Sequence, residues 1–212
     1  MEATEGTSVP VVHVVDDDES LRTAITRLLR AAGFAVHAHA SATEFLLGAR
    51  ADVPSCVVLD IRMPGPSGLD LQEALARSDE PLPVVFLTGY GDVAMSVRAM
   101  KSGAVDFLTK PVTGRVLLSA VRNALARDGE RRAARDRLRT LHSCYETLTP
   151  REREVFTQVV AGKLNKQVAA ALLVSERTVK AHRAQVMKKM QVESLAELVR
   201  VADMLRPLGP LT

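Results

Sequence analysis

Asp16, Asp17, Asp60, Thr88 and Lys110 are the residues whose types and placement point to chemistry. Each stands where a short apolar run gives way to polar residues. Val11-Val12-His13-Val14-Val15 leads into Asp16-Asp17-Asp18, Cys56-Val57-Val58-Leu59 into Asp60, Val84-Val85-Phe86-Leu87 into Thr88, and Val105-Asp106-Phe107-Leu108-Thr109 into Lys110-Pro111. Three carboxylates brought together cannot all stay ionised without compensation. A hard divalent cation held by oxygen ligands removes the conflict, and Mg2+ suits a few carboxylates plus water. One carboxylate can then attack a phosphoryl group and form an acyl phosphate. Lys110 would neutralise the incoming phosphate and the Thr88 hydroxyl would donate to one of its oxygens. Asp60 is the best nucleophile, because the Met63-Pro64-Gly65 turn that follows exposes it.

Apolar runs of this length between turn signals read as strands of a parallel sheet buried on both faces. Ligands of such sheets gather at the carboxyl ends of the strands. Amphipathic stretches alternate with the runs. Leu21, Ile25, Leu28 and Leu29 recur at helical spacing until Ala32-Gly33, Val36 to Ala38 is a weak second strand, and Ser41 caps a helix over 42–47. Further helices are expected over 68–76, 93–100 and 116–125. The pattern predicts an α/β fold, a doubly wound five-stranded parallel sheet, followed by a small all-α domain. Asp18 and Glu19 suit the start of the first helix. No Gly-x-Gly-x-x-Gly follows the first strand, which disfavours a dinucleotide, and Gly162-Lys163 lacks the rest of a phosphate loop.

Charge divides the chain of 212 residues. Residues 1–125 carry 11 Lys and Arg against 15 Asp and Glu, whereas residues 126–212 carry 17 against 10. An acidic half joined to a basic half implies two domains with different partners. Cys56 and Cys144 have no metal-ligand spacing and fit a reducing compartment. No apolar run has the length of a signal peptide or a membrane span. The expectation is a soluble, cytoplasmic protein without a membrane partner. Residues 127–143 are highly charged, with Gly129 the one breaker, and read as a helical linker. Ala134, Leu138 and Leu141 could form a weak self-association seam on it, a flexible tether being the alternative.

The basic half opens on a capping box, Thr149-Pro150-Arg151-Glu152, and its first helix ends at Gly162. A short helix from Asn165 to Leu172, a tight Leu173-Val174 connection and a Ser175-capped helix over 176–190 describe a helix-turn-helix. Ser194 and Glu197 repeat the capping signal for a last helix. Val179, Val186 and Met190 mark an apolar stripe on the third helix, and Lys180, Arg183, Ala184 and Lys188 lie off it. Lys166 and Thr178 are candidate phosphate contacts; Lys180, Ala181, Arg183 and Ala184 are candidate base-facing positions. His182 reads as a packing or phosphate-side residue.

These motifs carry a resemblance. Val15-Asp16-Asp17-Asp18, Leu59-Asp60-Ile61-Arg62-Met63-Pro64, Leu87-Thr88-Gly89 and Phe107-Leu108-Thr109-Lys110-Pro111 resemble the receiver domain of bacterial two-component response regulators, which has a flavodoxin-like fold. The Thr88-to-Asp92 loop is similar to that of the FixJ-like subfamily. Leu148 to Val155, Gly162, Asn165-Lys166, Ala169 and Thr178 to Arg183 resemble the LuxR-type domain of the NarL/FixJ family, with Leu164 where a small polar residue is common. The resemblance implies a receiver over 10–126, a linker over 127–143 and a DNA-binding domain over 144–209. It implies that Asp60 accepts phosphate from a sensor histidine kinase. Asp16, Asp17, Asp60 and the Arg62 carbonyl would hold Mg2+, and Thr88 and Phe107 would form a switch pair. The partners it implies are the kinase, promoter DNA, RNA polymerase and a second copy of the phosphorylated chain. Two other readings stand beside it. An aspartyl-phosphate hydrolase would usually need an acid two residues after the nucleophile, where this chain has Arg62. A phosphate-independent DNA binder would use the first domain for dimerisation alone.

Overall fold

The computed structural model describes residues 9–49, 51–78, 80–89 and 93–205. Tyr90 to Asp92 of the loop after the fourth strand, and the end of the basic half beyond Leu205, lie outside these. Five strands, β1 (Val11–Val15), β2 (Ala35–His39), β3 (Ser55–Leu59), β4 (Val84–Thr88) and β5 (Asp106–Thr109), form one parallel sheet in the order β2-β1-β3-β4-β5. Helices α1 (Glu19–Ala31), α2 (Ala42–Leu47), α3 (Gly68–Ala76), α4 (Val93–Lys101) and α5 (Gly114–Glu146) connect and follow them.

The continuous apolar runs have a plain physical cause. Successive side chains of a strand face opposite sides, and both sides here are covered. Val12, Val14, Cys56, Val58, Val85 and Leu87 pack against α1 and α5. Val15, Val57, Leu59, Val84 and Phe86 pack against α2, α3 and α4. A fully buried aliphatic side chain contributes about 1.5–3 kcal/mol, so each central strand is stabilised from two sides. Strand β2, at the sheet edge, is half exposed and correspondingly less apolar. His13 is the polar exception inside β1. Its Nδ1 meets His39 Nε2 at 3.2 Å, and the Phe45 ring stands edge-on at 5.1 Å. Burial is the largest influence on His39 and lowers its pKa.

The chain divides into two compact units, residues 1–132 and 133–212, and the division falls within α5. Gly129 does not interrupt this helix, because a single glycine costs only about 1 kcal/mol and its neighbours are strong helix formers. The charged linker is therefore helical throughout. The expected self-association seam is not free: Leu138 and Leu141 pack against the core of the second unit. Asp128 is completely buried near the end of the first unit. Its Oδ2 accepts the Ser55 N–H at 2.9 Å and Arg132 Nε at 2.8 Å, and Arg131 pairs with its Oδ1. Arg132 also reaches Asp52.

In the second unit α6 (Pro150–Val160), α7 (Asn165–Leu172), α8 (Glu176–Lys189) and α9 (Leu195–Leu205) surround Val155, Phe156, Val168, Val179, Val186 and Leu198. Thr149 caps α6 reciprocally with Glu152, and Gly162 ends the helix region at φ +81°. Glu152 Oε2 also receives Lys189 Nζ at 2.6 Å. Leu173 takes the left-handed φ of +54° in the α7–α8 turn, and Ser175 Oγ accepts the Thr178 N–H at 3.1 Å to start α8.

Candidate functional site

Parallel pairing brings the strand ends to one rim. Asp16 and Asp60 directly follow β1 and β3, Thr88 closes β4, and Lys110 follows β5. Lys110 Nζ lies 2.8 Å from Asp16 Oδ2 and 2.7 Å from Asp60 Oδ2. Asp16 is buried and Asp17 exposed; Asp60 is buried too, so the turn after it does not expose it as expected, because Lys110 covers it. One carboxylate oxygen from each of the three lies within 4.8 Å of the others. The Asp18 N–H donates to Asp16 Oδ1 at 2.9 Å, and the Arg62 N–H points at Asp60 Oδ1 at 3.3 Å. Asp18 itself caps α1 through the Leu21 N–H, the capping role expected for it.

Electrostatics follow from this burial. Loss of solvent pushes the Asp16 carboxyl above the ordinary aspartate range, and the Lys110 ammonium and Asp18 N–H only partly offset it. Burial pulls the other way on Lys110, but hydrogen bonds to Asp16 and Asp60 hold its pKa above the usual lysine value. One cation faces three carboxylates, so the cluster retains negative character. Hard oxygen donors with surplus negative charge are the donor set a divalent cation such as Mg2+ takes.

Thr88 is fully buried. By the two-residue period of strands it shares a sheet face with Phe86, and Phe107 is registered opposite Phe86. The Phe86 and Phe107 rings lie 6.2 Å apart, and Phe107 is half-buried against the core on that side of the sheet. Gly68 begins α3 directly against the acceptor loop. A Cβ there would sit 2.2 Å from the Asp60 carbonyl oxygen, so only glycine fits. Beside Lys110 an apolar groove opens between α1 and the start of α5, lined by Leu21, Ala24, Ile25, Leu28, Val112 and Leu117.

In the second unit, Lys180, Ala181, Ala184 and Lys188 line the exposed side of α8, while Val179, Val186 and Met190 are buried. Lys166 is exposed at the start of α7. Thr178 is half-buried, its Oγ1 2.9 Å from Ser175 Oγ. Arg183 departs from the base-facing expectation. It is half-buried, and its Nη1 donates to Asn165 Oδ1 of α7 at 2.7 Å. Sequence patterning gave Asn165 no role, and the same holds for Asp128, whose partner Ser55 lies 73 positions away.

Comparison with known proteins agrees with this geometry. Residues 12–122 match the response regulator receiver domain and residues 146–202 the bacterial regulatory proteins of the luxR family. Nodulation protein W of Bradyrhizobium diazoefficiens is 50% identical over 202 residues, covering 95% of this chain and 89% of that one. The transcriptional regulatory protein FixJ of Azorhizobium caulinodans is 43% identical, covering 92% of each. Among solved structures, the response regulator StyR has a TM-score of 0.83 at 44% identity, covering 92% of this chain and 99% of that one. Full-length FixJ from B. japonicum gives 0.55 at 37% identity, covering 94% and 98%. A receiver with its acidic rim and a helix-turn-helix of LuxR type thus lie on one chain, which belongs to the FixJ-like response regulators of the NarL/FixJ family and is a phosphorylation-dependent regulator of transcription.

Proposed function

We propose that Asp60 is the phospho-acceptor of this regulator, with a sensor histidine kinase as donor. The observation that carries the reading is Lys110 Nζ placed between Asp16 and Asp60, within an acidic cluster at the carboxyl ends of the strands. An Asp60 carboxylate oxygen attacks phosphorus, the bond to the donor imidazole nitrogen breaks, and that nitrogen keeps the electron pair. Asp16, Asp17, Asp60 and the Arg62 carbonyl would hold Mg2+, which when bound offsets negative charge on carboxylates and phosphate. Lys110 pairs with the new phosphate in place of the Asp60 carboxylate. The Thr88 hydroxyl then donates to a phosphate oxygen, and Phe107 follows the space Thr88 vacates. A phosphate adds about −1.5 to −2 charge at neutral pH, enough to bias a two-state surface.

The phosphorylated receiver (10–126) pairs with a second copy and presents two helix-turn-helix domains (144–209), through the helical linker (127–143), to a pseudo-symmetric promoter site. Pairing raises effective concentration on DNA, so a weak single contact becomes useful. Lys166, Thr178 and Lys188 contact backbone phosphate, and Lys180, Ala181 and Ala184 face the bases. RNA polymerase is the partner through which bound protein acts, in the cytoplasm. The chain works as a reversible charge switch rather than a turnover catalyst, and Arg62 in place of a second acid supports that. Among the described residues no helix is long and apolar enough to cross a membrane.

Footprinting with and without a small phosphodonor, on wild type and Asp60→Asn, tests the reading. The expected result is a footprint strengthened by the donor in wild type alone. A footprint indifferent to both donor and substitution overturns it.

A further inference from the structure

Arg183 is not placed like the other polar residues of α8. At about 100° per residue, Lys180, Ala181, Ala184 and Lys188 cluster within about 100° of arc around the helix, and all are exposed. Arg183 falls about 110° from the centre of that arc and only about 40° from the buried stripe of Val179, Val186 and Met190. It therefore stands on the flank that faces α7. There its Nη1 is held by Asn165 Oδ1 at 2.7 Å.

This tie leaves a particular chemistry available. A guanidinium has five N–H donors and no acceptor. One donation to Asn165 fixes the plane of the fork while leaving the other groups able to bind oxygen. Asn165 is the first residue of α7, so the fork lies at the end of a helix where the backbone dipole is positive. The exposed Lys166 follows immediately. Positive charge, a helix start and a fixed planar fork match a phosphate oxygen pair. A base edge is reached from the groove-facing side of a recognition helix, here the side of Lys180, Ala181 and Ala184, and Arg183 stands off that side.

We propose that Asn165 is a positioning residue that holds the Arg183 guanidinium on the wall of the DNA groove as a backbone phosphate contact. This rests on the DNA-binding reading of α8. A flexible arginine must lose side-chain freedom when it binds. Asn165 meets that cost within the free protein.

The test uses the full-length chain and two duplexes, one selected by wild type from a randomised pool and one with the same composition scrambled. Affinity is measured across a salt series for wild type, Asn165→Ala, Arg183→Gln, the double variant and Lys180→Ala. Arg183→Gln should weaken both duplexes by the same factor and reduce the salt slope by about one. Asn165→Ala should also weaken both equally, and it should have no further effect once Arg183 is Gln. Lys180→Ala, by contrast, should change the ratio between the duplexes. Circular dichroism melting identifies folded variants; if Asn165→Ala does not fold, the Arg183→Gln slope decides alone. A changed ratio for Arg183→Gln would make Arg183 a base reader and overturn the proposal. Unchanged affinity would reduce the tie to an internal brace and also overturn it. Failure of wild type to bind either duplex would remove the DNA-binding reading itself.

Discussion

Lys110 Nζ stands 2.7 Å from Asp60 Oδ2, so the proposed acceptor is already paired with the protein's own cation. A bound divalent cation and Lys110 therefore compete for the same carboxylates. Lys110→Ala should tighten Mg2+ binding by roughly tenfold, corresponding to about 1.4 kcal/mol, in a calorimetric titration. The same variant should still be labelled by a small phosphodonor but lose the donor-driven gain in DNA affinity. Unchanged Mg2+ affinity would show that Lys110 does not oppose the cation.

The apolar groove beside Lys110 lies next to the acceptor, where the histidine-bearing surface of a kinase must come close. Ala24 is exposed on its α1 wall, and Ala24→Arg places a long cation there without disturbing the core. Transfer from a purified cognate kinase should fall by about tenfold or more, the effect of losing about 1.4 kcal/mol at an interface anchor. Labelling by a small phosphodonor should be unaffected. Equal loss in both assays would place the damage at Asp60 rather than at docking.

Asp128 has no exposed surface and serves Ser55, Arg131 and Arg132 together. Asp128→Ala leaves Arg132 with the exposed Asp52 in place of a buried partner, and a strand-starting N–H without its acceptor. The expected loss in urea denaturation is about 3–5 kcal/mol. Asp128→Asn keeps an acceptor for Ser55 and should lose less, about 1–3 kcal/mol. A variant as stable as wild type would contradict the packing described for this carboxylate.

Glu152 gives the second unit a pH dependence. Burial alone would raise its pKa, but Lys189 and the Thr149 cap hold it below the usual glutamate range. A depressed folded pKa contributes stability above the unfolded value, about 4.3, and that contribution is lost as pH falls through the folded value. Glu152→Gln should lower the melting temperature by several degrees at neutral pH. The gap between variant and wild type should begin to close as pH falls past the unfolded value and vanish only below the folded one, where the glutamate is neutral in both states. A constant gap down to acid pH would assign the effect to packing instead of charge.

What was legible in the sequence follows from where burial is two-sided. Strands β1, β3 and β4 are apolar on both faces, so Asp16, Asp60 and Thr88 stand out as the polar residues that end them. Lys110 is legible through the same boundary at β5, helped by the proline after it. The helix caps were equally plain, since Ser41, Thr149 and Ser175 each act within three residues of themselves. Contacts between distant segments were not legible. The Asn165–Arg183 bond joins two helices across a turn, and charge alone groups Arg183 with the outward residues although its helical angle sets it beside the buried stripe. Asp128 looked like one more charge in a solvated run, because its acceptor role depends on a strand far earlier in the chain. Leu138 and Leu141 resemble a seam between copies for a similar reason: spacing shows that a face is apolar, but not what covers it.

The Asp128 tie bears on how force can pass through the receiver. Strand β3 is fastened at its foot by the buried carboxylate on Ser55, and its head carries Asp60 in the grip of Lys110. Between them Cys56 to Leu59 are wedged between two helical layers. A strand clamped in this way behaves as a beam rather than a piston, because it has no free end along which to slide. Strain from a phosphate placed at its head would then be discharged sideways, toward Thr88 at the end of β4 and Phe107 within β5.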